Sequence, residues 1–323
     1  MINKEYFHTF LAAGKLYKYL PYSLVFKTTH YCYYKCAHCC EDAGPHRKKQ
    51  YINADIICNY ISQAIQHPEF SRDIIFTGGE VFSSYKFGDK QYVPQLLTFS
   101  LDNNLSTDIK TNAGWANTNW GTKIFNDLHD VLARYPGNAL SNTMRLNAPK
   151  LQISLSVDGF HPNCIQNNIR VIMELLDSHV CIHVSSLNTD IDYLDKFNKE
   201  LNKTLHAAHV RYIDAITPQG QPIKIINNKV VLYSGYGTLF SHGRASDLPN
   251  AVKIDLPQYK FVSSGGTVLV AFDNAGMVSL GENSGHKIAT QWQKPDGDIV
   301  SLNTIRRKLY RNILLEPFKR HTK

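Results

Sequence analysis

Four of the seven cysteines in this 323-residue sequence lie within nine residues, at Cys32, Cys36, Cys39 and Cys40. Such clustering is typical of thiolate ligands to a metal and is not expected of single buried thiols. Iron–sulfur clusters are usually held by four cysteine thiolates. The C-x3-C-x2-C run of Cys32, Cys36 and Cys39 supplies three, so we expect a cluster that leaves one iron open to a small ligand.

Zinc is the main alternative occupant of this loop. A structural zinc site needs four ligands, usually as two separated pairs. Cys40 directly follows Cys39 and is poorly placed to be the fourth, although His38 or a distant histidine would complete the set. A disulfide framework is disfavoured because the chain is long, has few cysteines and shows no signal peptide.

Length and composition favour one large α/β domain with an appendage. With 43% hydrophobic residues among 323, the chain can bury a substantial core. Its longest apolar runs are short of a membrane span, and the segment from Met1 to Tyr6 lacks the basic and then apolar pattern of a signal peptide. We therefore expect a protein of the reducing cytoplasm that makes no use of a membrane.

The formal charge of +8 arises from 35 Lys and Arg against 27 Asp and Glu. This excess makes anionic partners possible without requiring them. Its clearest concentration lies between Arg306 and Lys323, which we interpret as a solvated helix face followed by a basic tail. No recognised nucleic-acid-binding motif accompanies it.

Predicted strands and helices alternate from the cysteine loop onward. A helix within residues 1–20 precedes a strand over 22–28 that runs directly into the loop. Five more strands are predicted, over residues 73–77, 107–111, 151–157, 181–186 and 210–216. The helices between the six strands are predicted over residues 53–66, 93–100, 123–135, 165–176 and 191–205. Because parallel neighbours need helical crossovers, this order predicts an α/β fold with a parallel sheet curled into an open barrel.

The cysteine spacing after the first strand resembles the signature of the radical S-adenosylmethionine (SAM) superfamily. The resemblance implies a partial (β/α)6 TIM-like barrel over residues 21–217 and a 4Fe-4S cluster on Cys32, Cys36 and Cys39, with SAM chelating the open iron. It also implies reductive cleavage of SAM to a 5′-deoxyadenosyl radical, which abstracts a hydrogen atom from the substrate. A one-electron donor such as flavodoxin or ferredoxin would supply the electron.

Two later strand ends carry motifs similar to those of the family, at the edge of a barrel where ligands gather. Gly78-Gly79-Glu80 resembles the Gly-Gly-Glu-Pro motif that holds the amino group of SAM, with Val81 in place of the proline. Asn112 lies in a Thr-Asn-Ala sequence similar to the Thr-Asn-Gly of the family. The resemblance makes these residues candidates for cofactor binding.

The fourth and fifth strands supply further candidates. Ser154, Ser156 and Asp158 share one face of the fourth strand because side chains alternate along it. By the family resemblance this strand end lines the pocket for the ribose and carboxylate of SAM, which makes Ser156 and Asp158 candidates. Ser185, near the end of the fifth strand, is a candidate to face the adenine.

Three more side chains near the cysteine loop have candidate roles. Tyr34 and His38 are candidates to set the hydrogen bonding and solvent access of the sulfurs. Cys164 follows a loop over the site, so we consider it as a hydrogen-atom donor. The simpler interpretation of Cys164 is a small buried hydrophobic residue.

The pattern changes to short strands and Gly-rich turns in residues 218–323. Gly243-Arg244-Ala245 is similar to a triplet of radical SAM peptide-modifying enzymes in which the arginine lies near SAM. The layout resembles a small C-terminal α+β extension of the SPASM type, which we expect to cover the substrate side. It departs from that type because no cysteine follows Cys181, so no cysteine-bound auxiliary cluster can form there.

Three functions stay open at this point. The first is a radical SAM enzyme that acts on a residue of a peptide or protein, which the C-terminal layout favours. The second is a radical SAM enzyme that acts on RNA or a small molecule. The third is a non-catalytic iron–sulfur or zinc protein that keeps the loop for structure. The outcome of the reaction stays open as well, because epimerisation, cross-linking and methyl transfer share the same SAM chemistry up to hydrogen abstraction.

Overall fold

The computed structural model describes residues 21–135, 150–187, 191–217, 220, 222–237, 243–249, 268–280, 289–294 and 298–309. The helix predicted within residues 1–20 lies outside these residues, as does most of the basic tail. The division of the chain into residues 1–20, 21–217 and 218–323 stays a prediction.

One mixed sheet of eleven strands carries the described part of the fold, in the order β11-β10-β9-β1-β2-β3-β4-β5-β8-β7-β6. The strands are β1 (Tyr22–Thr29), β2 (Phe70–Gly78), β3 (Ser106–Thr111), β4 (Lys150–Ser156), β5 (Cys181–Leu187), β6 (Tyr212–Ile216), β7 (Pro222–Ile226), β8 (Val230–Gly237), β9 (Val268–Asp273), β10 (Met277–Leu280) and β11 (Ala289–Gln291).

Helices follow most of the parallel strands. They are α1 (Ala54–Ile65), α2 (Tyr92–Asp102), α3 (Gly121–Arg134), α4 (Cys164–Glu174), α5 (Ile191–Ala207) and α6 (residues 302–309), with 3-10 helices over Val81–Phe87 and Gly243–Asp247. Asn53 caps the first of these helices, because its side chain accepts a hydrogen bond from the Asp55 amide at 2.7 Å. No helix in the described ranges has the length and apolar character needed to cross a membrane.

The parallel core of the sheet confirms the predicted α/β fold and partial barrel. Strands β1 to β5 pair in parallel in chain order, and the helices between them serve as crossovers. Apolar residues of one strand face pack against these helices, as Ile153 and Leu155 of β4 do, both fully buried. The sheet stays open, so the carboxyl ends of β1 to β5 form one accessible edge.

The sixth parallel strand is β8 and not the predicted strand over 210–216. Those residues form β6, which pairs antiparallel with β7 at the edge of the sheet, while β8 pairs in parallel with β5. Val231 and Leu232 of β8 are buried, whereas Ile213 and Ile216 of β6 are 59% and 73% exposed. The more apolar strand therefore takes the place that is covered on both faces.

The sequence pattern also predicts short strands over residues 223–226 and 230–233, and the structure pairs them as the antiparallel hairpin of β7 and β8. Asn227 and Asn228 have φ angles of 51° and 57°, as a tight hairpin turn requires. The residues Gly235 to Gly237, predicted as a loop, belong to β8. The sequence places this hairpin after the sixth strand as an insertion and does not indicate that β8 itself pairs with β5.

The described C-terminal residues extend the same sheet on its other side. Strand β9 pairs in parallel with β1, and β10 returns antiparallel to β9 as a hairpin. Phe272 of β9 stacks on Phe26 of β1 with ring centroids 5.2 Å apart. The hydroxyl of Tyr60 on α1 donates to the carbonyl of Val300 at 2.7 Å. These residues thus pack beside β1 and α1, and the covering role of residues 218–323 stays a prediction.

Candidate functional site

A cavity of about 210 Å³ opens at the carboxyl ends of β1 to β4. Its wall is formed by the cysteine loop after β1, the glycine turn after β2, the end of β3 and one arginine from beyond β8. Ten of the residues predicted from the sequence lie in this wall, namely Cys32, Tyr34, Cys36, His38, Cys39, Gly78, Gly79, Asn112, Ser156 and Arg244. The fold therefore brings these separate motifs to one place, while their roles stay predictions.

The sulfurs of the cysteine loop accept hydrogen bonds from the protein. The Asn112 side-chain amide donates to Cys32 Sγ at 3.3 Å, and the Ala43 backbone N–H donates to Cys39 Sγ at 3.3 Å. Burial raises the pKa of the Cys32 thiol to about 12, with a further contribution from Glu80, and burial also raises the pKa of Cys39. A bound metal supplies the positive charge that keeps such buried thiols deprotonated.

The cavity wall brings two sets of metal-ligating side chains near one another. Within the described ranges, His38, Asp158 and His161 form a group whose ligand atoms all lie within 4.8 Å of one another. The thiols of Cys32, Cys36 and Cys39 line the cavity. The choice between zinc and an iron–sulfur cluster on these thiols stays a prediction.

Arg244 clamps the cysteine loop from a distant part of the chain. Its guanidinium donates to the carbonyl of Cys36 at 2.9 Å, to the Asp42 carboxylate at 2.6 Å and to the carbonyl of Ala43 at 2.6 Å. Its backbone N–H donates to the carbonyl of Cys39 at 3.1 Å. The family resemblance places this arginine near SAM, and it does line the cavity. Its hydrogen bonds also give it a structural task that the sequence does not reveal.

The glycine turn after β2 packs backbone to backbone against the cysteine loop. The Gly79 N–H donates to the carbonyl of Thr29 at 2.6 Å, and the Glu80 N–H donates to that of Tyr31 at 2.8 Å. A Cβ at position 79 would lie 2.0 Å from the Tyr31 carbonyl oxygen, and Gly78 has a φ of 123°. Glycine is therefore required at both positions for the two loops to share one wall.

Replacing Gly79 by alanine should push the two loops apart. We expect Gly79→Ala to lower the free energy of unfolding by about 3 kcal/mol because backbone, and not a flexible side chain, must move. Gly88→Ala is the control, since no atom lies within 4 Å of a Cβ at that position, and its positive φ should cost about 1 kcal/mol. Urea denaturation measures both. Equal losses would contradict the close approach of the loops.

Glu80 lies behind the cavity wall, fully buried. Its carboxylate accepts hydrogen bonds from the Thr111 hydroxyl at 2.9 Å and from the amides of Asn112 and Phe82 at 3.1 and 3.2 Å. Burial raises the pKa of Glu80 to about 7, against these hydrogen bonds. The carboxylate thus joins the ends of β2 and β3 and positions Asn112 against Cys32. Its predicted contact with the amino group of SAM stays a prediction.

The raised pKa of Glu80 predicts a pH-dependent stability. The folded pKa of about 7 lies above the ordinary 4.5. The contribution of Glu80 to the free energy of unfolding is therefore fully present below pH 4.5 and is lost as the pH rises through 7. Relative to Glu80→Gln, the free energy of unfolding of the unaltered protein should fall by about 3 kcal/mol between pH 4.5 and 8. Anaerobic urea denaturation at stepped pH measures the difference. Parallel curves for the two proteins would count against the raised pKa.

Asp158 orients two histidines and does not itself line the cavity. Its carboxylate accepts from the Phe160 amide at 2.9 Å, pairs with His161 Nδ1 at 2.9 Å and lies 3.8 Å from His38 Nε2. Burial opposes protonation of His161, but Asp158 and then Cys36 raise its pKa to about 10. Burial likewise opposes ionisation of Asp158, yet the hydrogen bond from His161 lowers its pKa. Both histidines lie in the wall. The predicted contact of Asp158 with SAM stays a prediction.

Ser185 and Cys164 lie away from the cavity wall. Ser185 is aligned with Ser156 of β4, and its carbonyl accepts a hydrogen bond from Val157 at 2.8 Å. Cys164 is 3% exposed and its thiol donates to the carbonyl of Asp158 at 3.2 Å. These contacts favour the interpretation of Cys164 as a buried packing residue. Its role as a hydrogen-atom donor and that of Ser185 at the adenine stay predictions.

Several residues of the wall are not among the sequence candidates. Lys110 brings a cation to the wall, and the alternation of β3 places it on the same face as Asn112. That alternation is a signal the sequence does contain. Cys40 also lines the cavity, although its place next to Cys39 is poor for a fourth ligand.

A row of polar side chains continues from the cavity across the open face of the sheet. Lys110, Ser154, His183 and Tyr233 are aligned in register on β3, β4, β5 and β8. The Ser154 hydroxyl donates to Asp108 at 2.7 Å, and the rings of His183 and Tyr233 stack at 4.6 Å. Burial, and then the Lys110 charge, lower the pKa of His183 to about 4. The imidazole is therefore neutral near pH 7.

No family model matches the chain, and no curated protein matches it. Solved structures with similar folds include SuiB of Streptococcus suis bound to S-adenosylmethionine, at 13% identity and a TM-score of 0.39 over 86% of this chain and 66% of that one. BtrN in complex with AdoMet and 2-DOIA matches at 11% identity and a TM-score of 0.40, over 93% and 86% of the two chains.

The tagged protein anSMEcpe with bound AdoMet matches at 14% identity and a TM-score of 0.36, over 55% of this chain and 48% of that one. The chain spans just under two thirds of the length of SuiB. At such identities and TM-scores a likeness carries no functional conclusion for this chain.

Proposed function

We propose that this chain is a radical SAM enzyme that holds a 4Fe-4S cluster on Cys32, Cys36 and Cys39. The observation that supports it best is the convergence of these three thiols with the Gly78-Gly79 turn on one cavity. When bound, the cluster would supply the electron for reductive cleavage of SAM, and the deoxyadenosyl group so formed would take a hydrogen atom from the substrate.

The residues around the thiols would keep the cofactors in place. Asn112 and the Ala43 amide donate to two of the sulfurs, which favours the thiolate form. Arg244 fixes the backbone of the cysteine loop through three acceptors. Lys110 offers a cation in the wall. We assign it to the carboxylate of SAM, because an ammonium and a carboxylate form a charge-assisted hydrogen bond directly.

The glycine turn and the polar wall would bind the rest of SAM. The absence of side chains at Gly78 and Gly79 lets their backbone face the cavity at close range. Ser156 contributes a hydroxyl from the end of β4, where the ribose is expected. The buried Glu80 acts through Asn112 and Thr111, whose positions it holds.

We propose a residue of a peptide or protein as the substrate. The aligned row of Lys110, Ser154, His183 and Tyr233 crosses four strands, a span of about 14 Å at the usual strand spacing. An extended segment of about four residues has that length. The resemblance of residues 218–323 to peptide-modifying enzymes supports the same class. The seven cysteines carry no disulfide, in keeping with the cytoplasmic location that we propose.

Cleavage of SAM by the reconstituted protein tests the proposed activity. We expect the protein, loaded anaerobically with iron and sulfide and reduced by dithionite, to convert SAM to equal amounts of 5′-deoxyadenosine and methionine, measured by chromatography and mass spectrometry. Bound zinc without cleavage of SAM would contradict the enzyme and favour a non-catalytic metal protein.

The substrate class has a separate test, for which the net charge of +8 makes RNA the second candidate. A peptide encoded by a short reading frame beside the gene should raise the yield of 5′-deoxyadenosine and change in mass, while transfer RNA should do neither. Modification of the RNA with steep dependence on salt would contradict the peptide assignment.

A further inference from the structure

A basic surface lies on the outer side of the cysteine loop. Segments 33–50 and 81–91 contain six lysines and arginines against three acidic residues. Glu41 pairs with Lys27 at 2.7 Å, and Asp42, whose side chain is 39% exposed, pairs with Arg244 at 2.6 Å and with Arg47. The basic surface consists of five exposed lysines, namely Lys35, Lys48, Lys49, Lys86 and Lys90.

Aromatic rings hold two of these lysines in place. The ammonium of Lys86 donates to the Tyr31 hydroxyl at 3.1 Å, and Lys49 lies 4.8 Å from the centroid of the Phe87 ring. Lys86 also lies within 6.0 Å of the centroids of four rings, those of Tyr31, Tyr33, Phe87 and Trp120. Cation–π contacts of this kind restrict side chains that are otherwise mobile on a surface.

The same aromatic cluster links the basic surface to the candidate cluster ligands. Tyr31 and Tyr33 flank Cys32 in the chain, and their rings contact each other edge to face at 6.0 Å. The Phe87 ring contacts Tyr31 at 4.8 Å. The basic surface and the cavity are therefore two sides of one loop, with the aromatic side chains between them.

We propose that the basic surface docks an acidic one-electron carrier of the flavodoxin type. This inference rests on the proposed function, which needs one electron for each SAM cleaved. The carrier would be oxidised by one electron and the iron–sulfur group reduced by one, and no proton needs to move with it. Complementary charge steers such partners and sets the rate at which they associate.

The aromatic side chains favour an acidic protein over single-stranded RNA as the occupant. Proteins that bind single strands present aromatic faces on which bases stack. Here Tyr31 is 4% exposed, and the Tyr31, Tyr33 and Phe87 rings are covered by lysine ammonium groups. The surface thus offers fixed charge without a stacking platform.

A pair of charge reversals tests this assignment. Lys48→Glu/Lys49→Glu alters the basic surface and leaves Lys86 in place. Arg307→Glu/Lys308→Glu makes the same change of charge on two exposed residues of α6, whose neighbour Arg306 pairs with Glu69 at the opposite end of the strands. Binding of oxidised flavodoxin is measured by titration calorimetry, and SAM cleavage is driven either by reduced flavodoxin or by dithionite.

We expect Lys48→Glu/Lys49→Glu to weaken flavodoxin binding about tenfold at low salt, with the difference shrinking at high salt. Flavodoxin-driven cleavage should need correspondingly more flavodoxin, while dithionite-driven cleavage stays unchanged. The α6 control should bind flavodoxin normally.

Equal flavodoxin binding by both variants would overturn the assignment. The assignment would also be overturned if Lys48→Glu/Lys49→Glu lost binding to a single-stranded RNA oligonucleotide and kept its binding to flavodoxin. Failure of the unaltered protein to cleave SAM with dithionite would instead overturn the proposed function, and the calorimetry would still report on the surface.

Discussion

Replacing Cys36 by alanine should abolish both assembly of the iron–sulfur cluster and cleavage of SAM. We expect iron content after anaerobic reconstitution to fall from about four per chain to below one, because two thiolates cannot hold the cluster. Cys32→Ala and Cys39→Ala should behave in the same way. Iron and sulfide analysis, with 5′-deoxyadenosine as the product, measures the effect.

Two other cysteines provide the comparison. Cys58 is half-buried on α1, away from the cavity, so Cys58→Ala should retain full iron content. Cys40 lines the cavity but is not assigned as a ligand, so Cys40→Ala should also retain about four irons per chain. Loss of iron in Cys40→Ala, or its retention in Cys36→Ala, would contradict the assignment of three ligands.

Replacing Arg244 by alanine should destabilise the cysteine loop that this arginine clamps. The change removes the donors to two backbone carbonyls and to the Asp42 carboxylate. Loss of these partly buried, charge-assisted hydrogen bonds should lower the free energy of unfolding by about 3 kcal/mol. Arg244→Lys keeps the charge but cannot reach three acceptors, so its loss should be intermediate. Denaturation in urea and iron content together measure the effect.

Arg47 is a matched control for Arg244 because it pairs with the same carboxylate. It contacts Asp42 from the outer side, and its side chain is 42% exposed compared with 18% for Arg244. An exposed pair of this kind contributes about 0.5 kcal/mol. Arg47→Ala should therefore bind iron normally. Equal behaviour of the two alanine variants would contradict the clamp.

Local features of the fold could be predicted from the sequence because short-range physical chemistry decides them. Asn53 caps α1 where a small polar side chain precedes an apolar helical pattern, and the alternation in β4 places Ser156 on the open face. The strand ends of a parallel sheet share one edge, so the cysteine loop and Gly78-Gly79 could be expected to meet.

The contacts that the sequence could not predict join residues that are far apart in the chain. Arg244 lies about two hundred residues from Cys36, and no local pattern indicates which carbonyls it binds. The placement of β8 beside β5 depends on competition between two apolar strands for one covered site. The burial of Glu80 behind the wall likewise depends on donors from β3, which the family resemblance does not specify.

The electron paramagnetic resonance spectrum of the reduced protein, recorded with and without SAM, tests the central claim most directly. If Cys32, Cys36 and Cys39 hold a 4Fe-4S cluster with one open iron, the reduced protein should give a cluster signal that shifts when SAM binds to that iron. A spectrum that SAM leaves unchanged, or a protein that binds zinc and gives no signal, would contradict the account.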